Sequence, residues 1–351
     1  MTENEPARSS GSRLRTALWA AALALGSGWA LASALPAEAQ PREVFVVNTQ
    51  DASVSRVDLS ALKEVGRFPV GPRPYGIAVT KDGKTVAVGV EDEEKVKFFD
   101  ARNFELRGET RIGPMHNDHI VLTQDGRHVL VANYDSDDVV GVDVASMKEV
   151  FRIEGASAPH VVKYGPLRRN AYATCKKITG IAILDPAARR LVSFHPLNVN
   201  PRSLTFRPDE SRLYFASFWV DGFFEMDPVA GKVTRLIALE PPPDDAAPQE
   251  VTYHGVEAVG ENVVLAANEG RSYLDAVEVG GGRLLDRLTT GISKPCCVER
   301  IPGGGEAPRA LVSNLGDGTV QLVELRDGKL RSIGKVPVGA SPQRVTWVPL
   351  P

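Results

Sequence analysis

The fold is decided by the stretch Pro74-Tyr-Gly-Ile-Ala-Val-Thr-Lys-Asp-Gly83, which is followed by the apolar run Thr85-Val-Ala-Val-Gly-Val90. Both apolar runs are short, rich in β-branched residues and bounded by turn residues, as is typical of β-strands. The Asp-Gly pair between them is a strong signal for a tight hairpin. Two further strand-like runs follow a polar loop, at 95–100 and 105–112. The stretch therefore predicts a four-stranded antiparallel unit.

The same order of strands recurs along the chain. Later first strands lie in the segments 117–126, 159–164, 201–206, 253–258, 295–300 and 342–347. The last of them has no chain left to continue it, whereas the segments 44–48, 53–58 and 63–70 form three strands that lack a first one. Pairing these two ends closes a ring and removes two exposed sheet edges. The sequence therefore predicts an all-β domain at 43–351, a seven-bladed β-propeller of four-stranded blades closed by N-terminal strands pairing with the C-terminal strand.

Four segments resemble the second-strand signature of YVTN-type propeller repeats. They are Val46-Val-Asn48, Leu130-Val-Ala-Asn-Tyr134, Leu265-Ala-Ala-Asn268 and Leu311-Val-Ser-Asn314. The resemblance covers essentially the whole chain after its first 42 residues and implies a secreted seven-bladed propeller. Propellers similar in build include secreted binding proteins, lactonases, the heavy subunit of amine dehydrogenases and the d1-haem domain of nitrite reductases. The resemblance thus implies an architecture and leaves the activity open.

The N-terminal segment has the pattern of a secretory signal peptide. Arginines between residues 8 and 15 precede an apolar run at 17–25, and Ala37-Glu-Ala39 supplies a small-residue cleavage site. The alternative is an uncleaved membrane anchor, but Gly26-Ser-Gly28 interrupts the run, which falls short of a typical span. We therefore predict a signal peptide at 1–39, a periplasmic or secreted protein, and no membrane span after cleavage.

Composition excludes several classes of function. The formal net charge is -3 and 24% of residues are charged, without a basic excess, so nucleic acid is not an expected partner. The sequence has no Cys-x-x-Cys-His haem-attachment motif, no Walker or dinucleotide glycine motif, and no Gly-x-Ser-x-Gly elbow. The three cysteines are an odd number, so at least one thiol stays outside any intrachain disulfide.

The repeat register aligns one residue at the entrance of each first strand. This column contains Tyr75, Asp118, His160, Arg202, His254, Cys296 and Gln343. First strands line the central channel of a propeller, so the column is expected to form a polar ring around one mouth of that channel. We predict that Tyr75, Asp118, His160, Arg202, His254 and Gln343 bind a small-molecule ligand. Arg202 would pair with a carboxylate or phosphate of an anionic ligand, and Glu257 is expected deeper in the channel.

Histidine and cysteine placement supports a second hypothesis, a transition-metal site. Imidazole and thiolate together suit copper or zinc. The candidate metal ligands are His116, His119, His160, His254 and Cys296, which lie in or beside the column. Cys297 and Cys175 are expected at the same face. The alternative is that these groups are solvated polar side chains, with Cys296 and Cys297 a buried pair.

Three functions stay open at this point. The first is a binding or accessory protein that holds an anionic ligand or a metal at the mouth. The second is an enzyme, a lactonase-type hydrolase or a metal-dependent oxidoreductase, in which a histidine shuttles a proton. The third is a protein-interaction scaffold. In a scaffold, Phe218-Trp219 would be an exposed anchor for a periplasmic partner; the alternative is that it covers the outer core of its blade. The proline-rich segment 240–250 is either a docking loop or a neutral insertion.

Overall fold

A computed structural model describes residues 41–114, 119–241, 252–303 and 307–348 of the chain. In those residues, 28 strands form seven four-stranded antiparallel sheets, each a blade around a central axis. This confirms the predicted all-β seven-bladed propeller. No helix within the described residues has the length and apolar character needed to cross a bilayer. The predicted signal peptide at 1–39 lies outside the described residues, as does most of the segment 240–250.

The strands are numbered in chain order and grouped here by blade. Blade 1 contains β4 (Pro74–Val79), β5 (Thr85–Val90), β6 (Lys95–Asp100) and β7 (Leu106–Arg111). Blade 2 contains β8 (Ile120–Leu122), β9 (His128–Asn133), β10 (Asp138–Asp143) and β11 (Lys148–Glu154). Blade 3 contains β12 (Pro159–Gly165), β13 (Asn170–Cys175), β14 (Gly180–Asp185) and β15 (Arg190–Pro196). Blade 4 contains β16 (Pro201–Phe206), β17 (Leu213–Ser217), β18 (Gly222–Asp227) and β19 (Lys232–Ala238).

Blades 5 and 6 follow the same plan, and blade 7 joins the two ends of the chain. Blade 5 contains β20 (Tyr253–Ala258), β21 (Val263–Asn268), β22 (Tyr273–Glu278) and β23 (Arg283–Leu288). Blade 6 contains β24 (Pro295–Ile301), β25 (Arg309–Asn314), β26 (Thr319–Arg326) and β27 (Lys329–Pro337). Blade 7 contains β28 (Pro342–Trp347), β1 (Glu43–Asn48), β2 (Ser53–Asp58) and β3 (Lys63–Pro69). A short 3-10 helix, Glu91–Glu93, follows β5.

Ring closure occurs in blade 7, whose strand order is β28-β1-β2-β3. The last strand pairs antiparallel with the first, and Val44 lies opposite Trp347 while Val46 lies opposite Val345. The N-terminal strand is therefore not left as an open sheet edge, which is the physical reason for closing a propeller in this way.

Burial falls from the inside of each blade to the outside. All six residues of β5 are buried, whereas β3 alternates between exposed and half-buried positions. The apolar faces pack between neighbouring blades; Phe98 of blade 1 shares one cluster with Val131 of blade 2. Each blade therefore buries its surface mainly against the next, and the innermost strands are left to surround the channel.

The predicted hairpin turn in blade 1 forms as the sequence indicates. Gly83 has φ of +68°, a conformation that glycine adopts without strain, and its amide donates to the carbonyl oxygen of Thr80 at 2.8 Å. The Asp82 carboxylate accepts a hydrogen bond from the Thr80 hydroxyl at 2.6 Å. Local side-chain chemistry thus sets the turn, and with it the register of the first two strands.

Candidate functional site

A recurring β-bulge presents the predicted column of residues to the channel. In blade 3, Pro159 lies opposite Cys175 but Val161 lies opposite Thr174, so His160 is the extra residue of a bulge. A bulge of this kind re-aims a side chain that would otherwise follow the strand's alternation. The register shifts at the same place in the first strands that carry Tyr75, Arg202, His254, Cys296 and Gln343. We call the end of the channel at these bulges the mouth.

Four column residues from four consecutive blades form one chain of contacts at the mouth. Arg202 Nη2 lies 3.2 Å from His254 Nδ1 and 3.0 Å from its Nε2. His254 Nε2 lies 3.7 Å from Cys296 Sγ. The Cys296 thiol donates to Gln343 Oε1 at 3.1 Å. Direct contacts thus join residues 42 to 52 positions apart in the sequence.

The imidazole of His254 is oriented by Glu269. The carboxylate Oε2 lies 2.6 Å from Nδ1, so Nδ1 carries a proton and Nε2 faces Cys296. Burial favours a raised pKa for Glu269, but the hydrogen bond from His254 and the positive charge of Arg202 outweigh it, and the pKa is lowered. Glu269 therefore stays ionised and gives the His254 side of the mouth a fixed hydrogen-bond acceptor.

A pocket of about 530 Å³ opens beside this chain of contacts. Its lining consists of Tyr134, Asp135, His160, Lys176, Asn200 and Phe218. Two cations lie against the ring of Phe218: the Arg202 guanidinium carbon is 4.3 Å from the ring centroid and Lys176 Nζ is 4.9 Å from it. Lys176 Nζ also donates to Asn200 Oδ1 at 2.9 Å and to the Pro201 carbonyl at 2.7 Å. Blades 3 and 4 thus place positive charge over one aromatic ring at the mouth.

The two vicinal cysteines lie side by side where the mouth meets the channel. Their Sγ atoms are 3.3 Å apart and are not disulfide-bonded. The hydrogen bond with Cys297, together with burial, raises the pKa of the Cys296 thiol well above its usual value. Arg344 Nη1 donates to Cys297 Sγ at 3.0 Å. Cys296 therefore belongs to the mouth and Cys297 to the channel beneath it.

Cys175 lies at the mouth end of β13, but its side chain does not line the mouth. Its side chain packs in the apolar cluster between blades 2 and 3, with Leu130 and Ala173, instead of lining the mouth. Burial raises the pKa of this thiol to about 12. The predicted position of Cys175 at the same face as the other cysteines is confirmed by its pairing with Pro159, but its side chain is directed into the core at the end of β13.

A second tier of charged groups lies deeper in the channel. Lys163 Nζ donates to Glu257 Oε2 at 2.7 Å and lies 4.0 Å from Glu299 Oε2. A cavity of about 230 Å³ adjoins this tier and is lined by Cys297, Glu299, Arg344, His119 and apolar side chains of three first strands. Burial raises the pKa of Glu299 to about 7; Lys163 and Arg344 oppose this shift and Glu257 adds to it. The channel below the mouth is thus occupied by ionisable groups.

The raised pKa of Glu299 predicts a measurable dependence of stability on pH. In the unfolded chain this carboxyl loses its proton near pH 4.3, whereas in the fold it keeps it until about 7. Unfolding between these values releases a proton, so stability falls as the pH rises through this window. Glu299→Gln should remove this fall, worth about 1–3 kcal/mol between pH 5 and 8. Urea unfolding of both proteins at the two pH values measures the difference.

The matched control is Glu261→Gln, which changes an exposed glutamate at 3.3 Å from Arg207. This variant should keep the wild-type pH dependence because its carboxylate is solvated in both states. Identical losses of stability from pH 5 to 8 in the wild type and Glu299→Gln would contradict the prediction.

The remaining predicted site residues are placed as follows. Tyr75 lines a separate rim pocket of about 400 Å³ with Arg73 and Ser341. His119 faces the channel cavity. His116 and Asp118 lie outside the described residues. In the part of the chain that the structure describes, no three His, Cys, Asp or Glu side chains are grouped closely enough to hold a metal ion.

Three residues outside the predicted ligand and metal sets complete the site; of these, the sequence indicated Phe218 only as an anchor for a protein partner. Lys176, Phe218 and Glu269 each come directly after the last residue of a second strand, at Cys175, Ser217 and Asn268. Because second strands run antiparallel to the first, their ends return to the mouth. The position after each second strand indicates that these residues lie at this face, but not that they contact the column residues. Phe218 lies at the mouth, and Trp219 is 66% exposed, so neither is an outer-core residue.

Comparison with known proteins identifies the fold of this chain but not its activity. No protein-family model matches the chain, and no curated protein does. Hydrazine synthase from Kuenenia stuttgartiensis is similar in structure, with 19% identity, a TM-score of 0.68, and coverage of 78% of this chain and 89% of that one. The dihydro-heme d1 dehydrogenase NirN, in complex with DHE, has 18% identity, a TM-score of 0.59, and coverage of 90% and 78%. The chain is therefore a seven-bladed β-propeller whose architecture is shared with these two proteins.

Proposed function

We propose that this chain is an exported propeller of the YVTN-repeat type that binds a small anionic ligand at the mouth of its channel. The observation that carries the proposal is the convergence of Arg202 and Lys176, from adjacent blades, on the ring of Phe218. His160 lines the same pocket, and His254 touches Arg202. An anion in this pocket would lie within reach of several cationic or hydrogen-bonding groups.

The charge of Arg202 supports an anionic ligand. Its Nη2 donates to Nε2 of His254 at 3.0 Å, since Nδ1 of that ring donates to Glu269, and among the described residues it has no carboxylate within ion-pair distance. A guanidinium in a site sheltered from water gains most from a carboxylate or phosphate that matches its planar fork. The pocket volume of about 530 Å³ lies within the range of small-molecule sites.

A thiol hydrolase fits these contacts less well. Glu269, His254 and Cys296 do stand in the order of an acid, a base and a nucleophile. However, the Cys296 side chain is 0% exposed, and its pKa is raised instead of lowered. A substrate would have to reach a buried and protonated sulfur, whereas a bound anion needs only the open pocket.

Export to the periplasm is part of the same proposal. It rests on the leader pattern at 1–39 and is compatible with the fold shared with hydrazine synthase and NirN. NirN, which has a similar fold, was solved in complex with DHE, and a ligand of this chain is part of the present proposal. A fusion of residues 1–60 to a reporter that is active only after export tests the leader directly.

If the mouth binds an anion, removing a positive side-chain charge there should lower the affinity for anionic probes. Mature protein would be titrated by calorimetry with inorganic phosphate, succinate and citrate, and the tightest of these probes kept. Arg202→Gln should weaken that probe by about 10- to 100-fold, because a hydrogen bond to a charged group is worth about 1.5–3 kcal/mol. Lys176→Gln should weaken it in the same direction.

The control is Arg127→Gln, an exposed arginine in the β8–β9 turn at the opposite end of the channel, which should leave the affinity unchanged. Thermal unfolding of each variant checks that the fold is intact. Equal affinity in wild type and Arg202→Gln would overturn the proposal. So would stoichiometric copper or zinc in the untagged mature protein that is lost in His160→Ala/His254→Ala.

A further inference from the structure

Cys296 and Cys297 are adjacent in one strand, yet their side chains are directed toward each other and bring their sulfur atoms close together. Successive side chains of a β-strand point to opposite faces. The register shift between Pro295 and Cys297 interrupts this alternation and leaves Cys296 as the extra residue of the bulge. As a result the two Sγ atoms lie 3.3 Å apart. The bulge therefore builds a vicinal dithiol that a regular strand would not contain.

Each thiol of this pair has a polar partner suited to oxidation chemistry. Arg344 Nη1 lies 3.0 Å from Cys297 Sγ and stabilises negative charge there. His254 Nε2 lies 3.7 Å from Cys296 Sγ, and its other nitrogen is held by Glu269. A cation thus faces one sulfur and a base faces the other.

A small oxidant can reach only one of the two sulfurs. Cys296 is 0% exposed, whereas Cys297 is 4% exposed and lines the channel cavity of about 230 Å³. A molecule of liquid water takes up about 30 Å³, so the cavity accommodates a hydroperoxide such as hydrogen peroxide but not a protein disulfide donor. Oxidation would accordingly begin at Cys297.

We propose that Cys296 and Cys297 form a redox-active pair that hydrogen peroxide converts to a vicinal disulfide. In the first step the Cys297 thiolate attacks one peroxide oxygen, the O–O bond breaks, hydroxide leaves, and Cys297 becomes a sulfenic acid. In the second step Cys296 sulfur attacks Cys297 sulfur and the S–O bond breaks, while the Cys296 proton passes through His254 to the departing oxygen, which leaves as water. The proton that Cys297 lost on forming its thiolate neutralises the hydroxide of the first step. The net change oxidises two thiols to one disulfide and reduces one peroxide to two waters.

The disulfide would change the mouth as well as the channel. The Cys296 thiol would no longer donate to Gln343 Oε1, and Cys297 would no longer be an anionic partner for Arg344. Gln343 and Arg344 are neighbours on the first strand of blade 7. Oxidation therefore alters the hydrogen bonding of a strand that forms part of the mouth.

The test counts thiols in mature, fully reduced protein after treatment with graded hydrogen peroxide in the presence of a metal chelator. Alkylation under denaturing conditions, followed by intact mass, should find three thiols before treatment and one afterwards. The unalkylated oxidised protein should be lighter by two hydrogens. Reduction should restore all three thiols.

Cys175→Ser is the matched control, since it removes the third buried thiol and leaves the pair intact. This variant should go from two thiols to none. Cys296→Ser should instead gain oxygen at Cys297 and form no disulfide. Retention of all three thiols by the wild type, or oxygen addition at Cys297 without loss of the Cys296 thiol, would overturn the proposal. The mass readout involves no anion, so it is independent of the proposed ligand.

Discussion

A chain that ends at Gly339 should lose cooperative folding. This truncation removes β28, so that Val44, Val46 and the rest of β1 lose their inner partner and blade 7 keeps three strands. Val345 also leaves the apolar cluster that it shares with blade 6. The free energy of unfolding of a whole domain is only about 5–15 kcal/mol. Losing an inner strand and exposing the edge of β1 would remove much of that stability. Circular dichroism during heating should show no sharp transition.

Two further chains separate strand pairing from simple shortening. A chain that ends at Val348 keeps β28 and should unfold like the wild type. A permuted chain that starts at residue 340, joins Val348 to Arg42 through an Asn-Gly turn and ends at Gly339 should recover the transition. The junction is short because the Val348 amide donates to the Glu43 carbonyl at 3.1 Å. A sharp, wild-type transition in the chain ending at Gly339 would show that closure does not stabilise the ring.

Asp275→Ala should lower the free energy of unfolding by about 3–5 kcal/mol, because it leaves a partly buried cation without its partner. Arg287 donates to the fully buried Asp275 carboxylate twice, from Nε at 2.7 Å and from Nη2 at 2.8 Å. The Tyr253 hydroxyl donates to the same carboxylate at 2.6 Å. Removing the carboxylate therefore breaks three hydrogen bonds inside blade 5. Urea unfolding with linear extrapolation measures the loss.

Lys177→Ala supplies the comparison for this variant. It breaks an ion pair with Asp137 in which the two side chains are 65% and 40% exposed, so the loss should stay below about 1 kcal/mol. A loss for Asp275→Ala no larger than that for Lys177→Ala would contradict the importance assigned to the buried network.

Much of the fold could be predicted because the residues that determine each blade lie close together in the sequence and recur from blade to blade. The Asp82-Gly83 turn is set by side chains within six residues of one another. The first strand at 342–347 lacks the three strands that should follow it, and the strands at 44–70 lack a first one, so the repeat predicted that the two ends pair. Because the same pattern repeats in every blade, a blade whose own pattern is weak, such as the one with the short β8, can be recognised from its alignment with the others.

The site was predictable only in part. Register alone predicted that Arg202, His254, Cys296 and Gln343 would share a column. It did not indicate that Glu269 would hold His254, because that contact depends on how far a side chain reaches from a second strand.

The number of blades, the closure of the ring and the column of residues that faces the mouth could be read from the chain alone, since they follow from turn chemistry and from a repeat in register. Which side chains meet depends on the three-dimensional packing. It directed Cys175 into an apolar core and Cys297 into the channel, and it placed Arg202 and Lys176 over Phe218. The physical reason is that bulges and packing between blades set side-chain direction, and neither can be read from spacing along the chain.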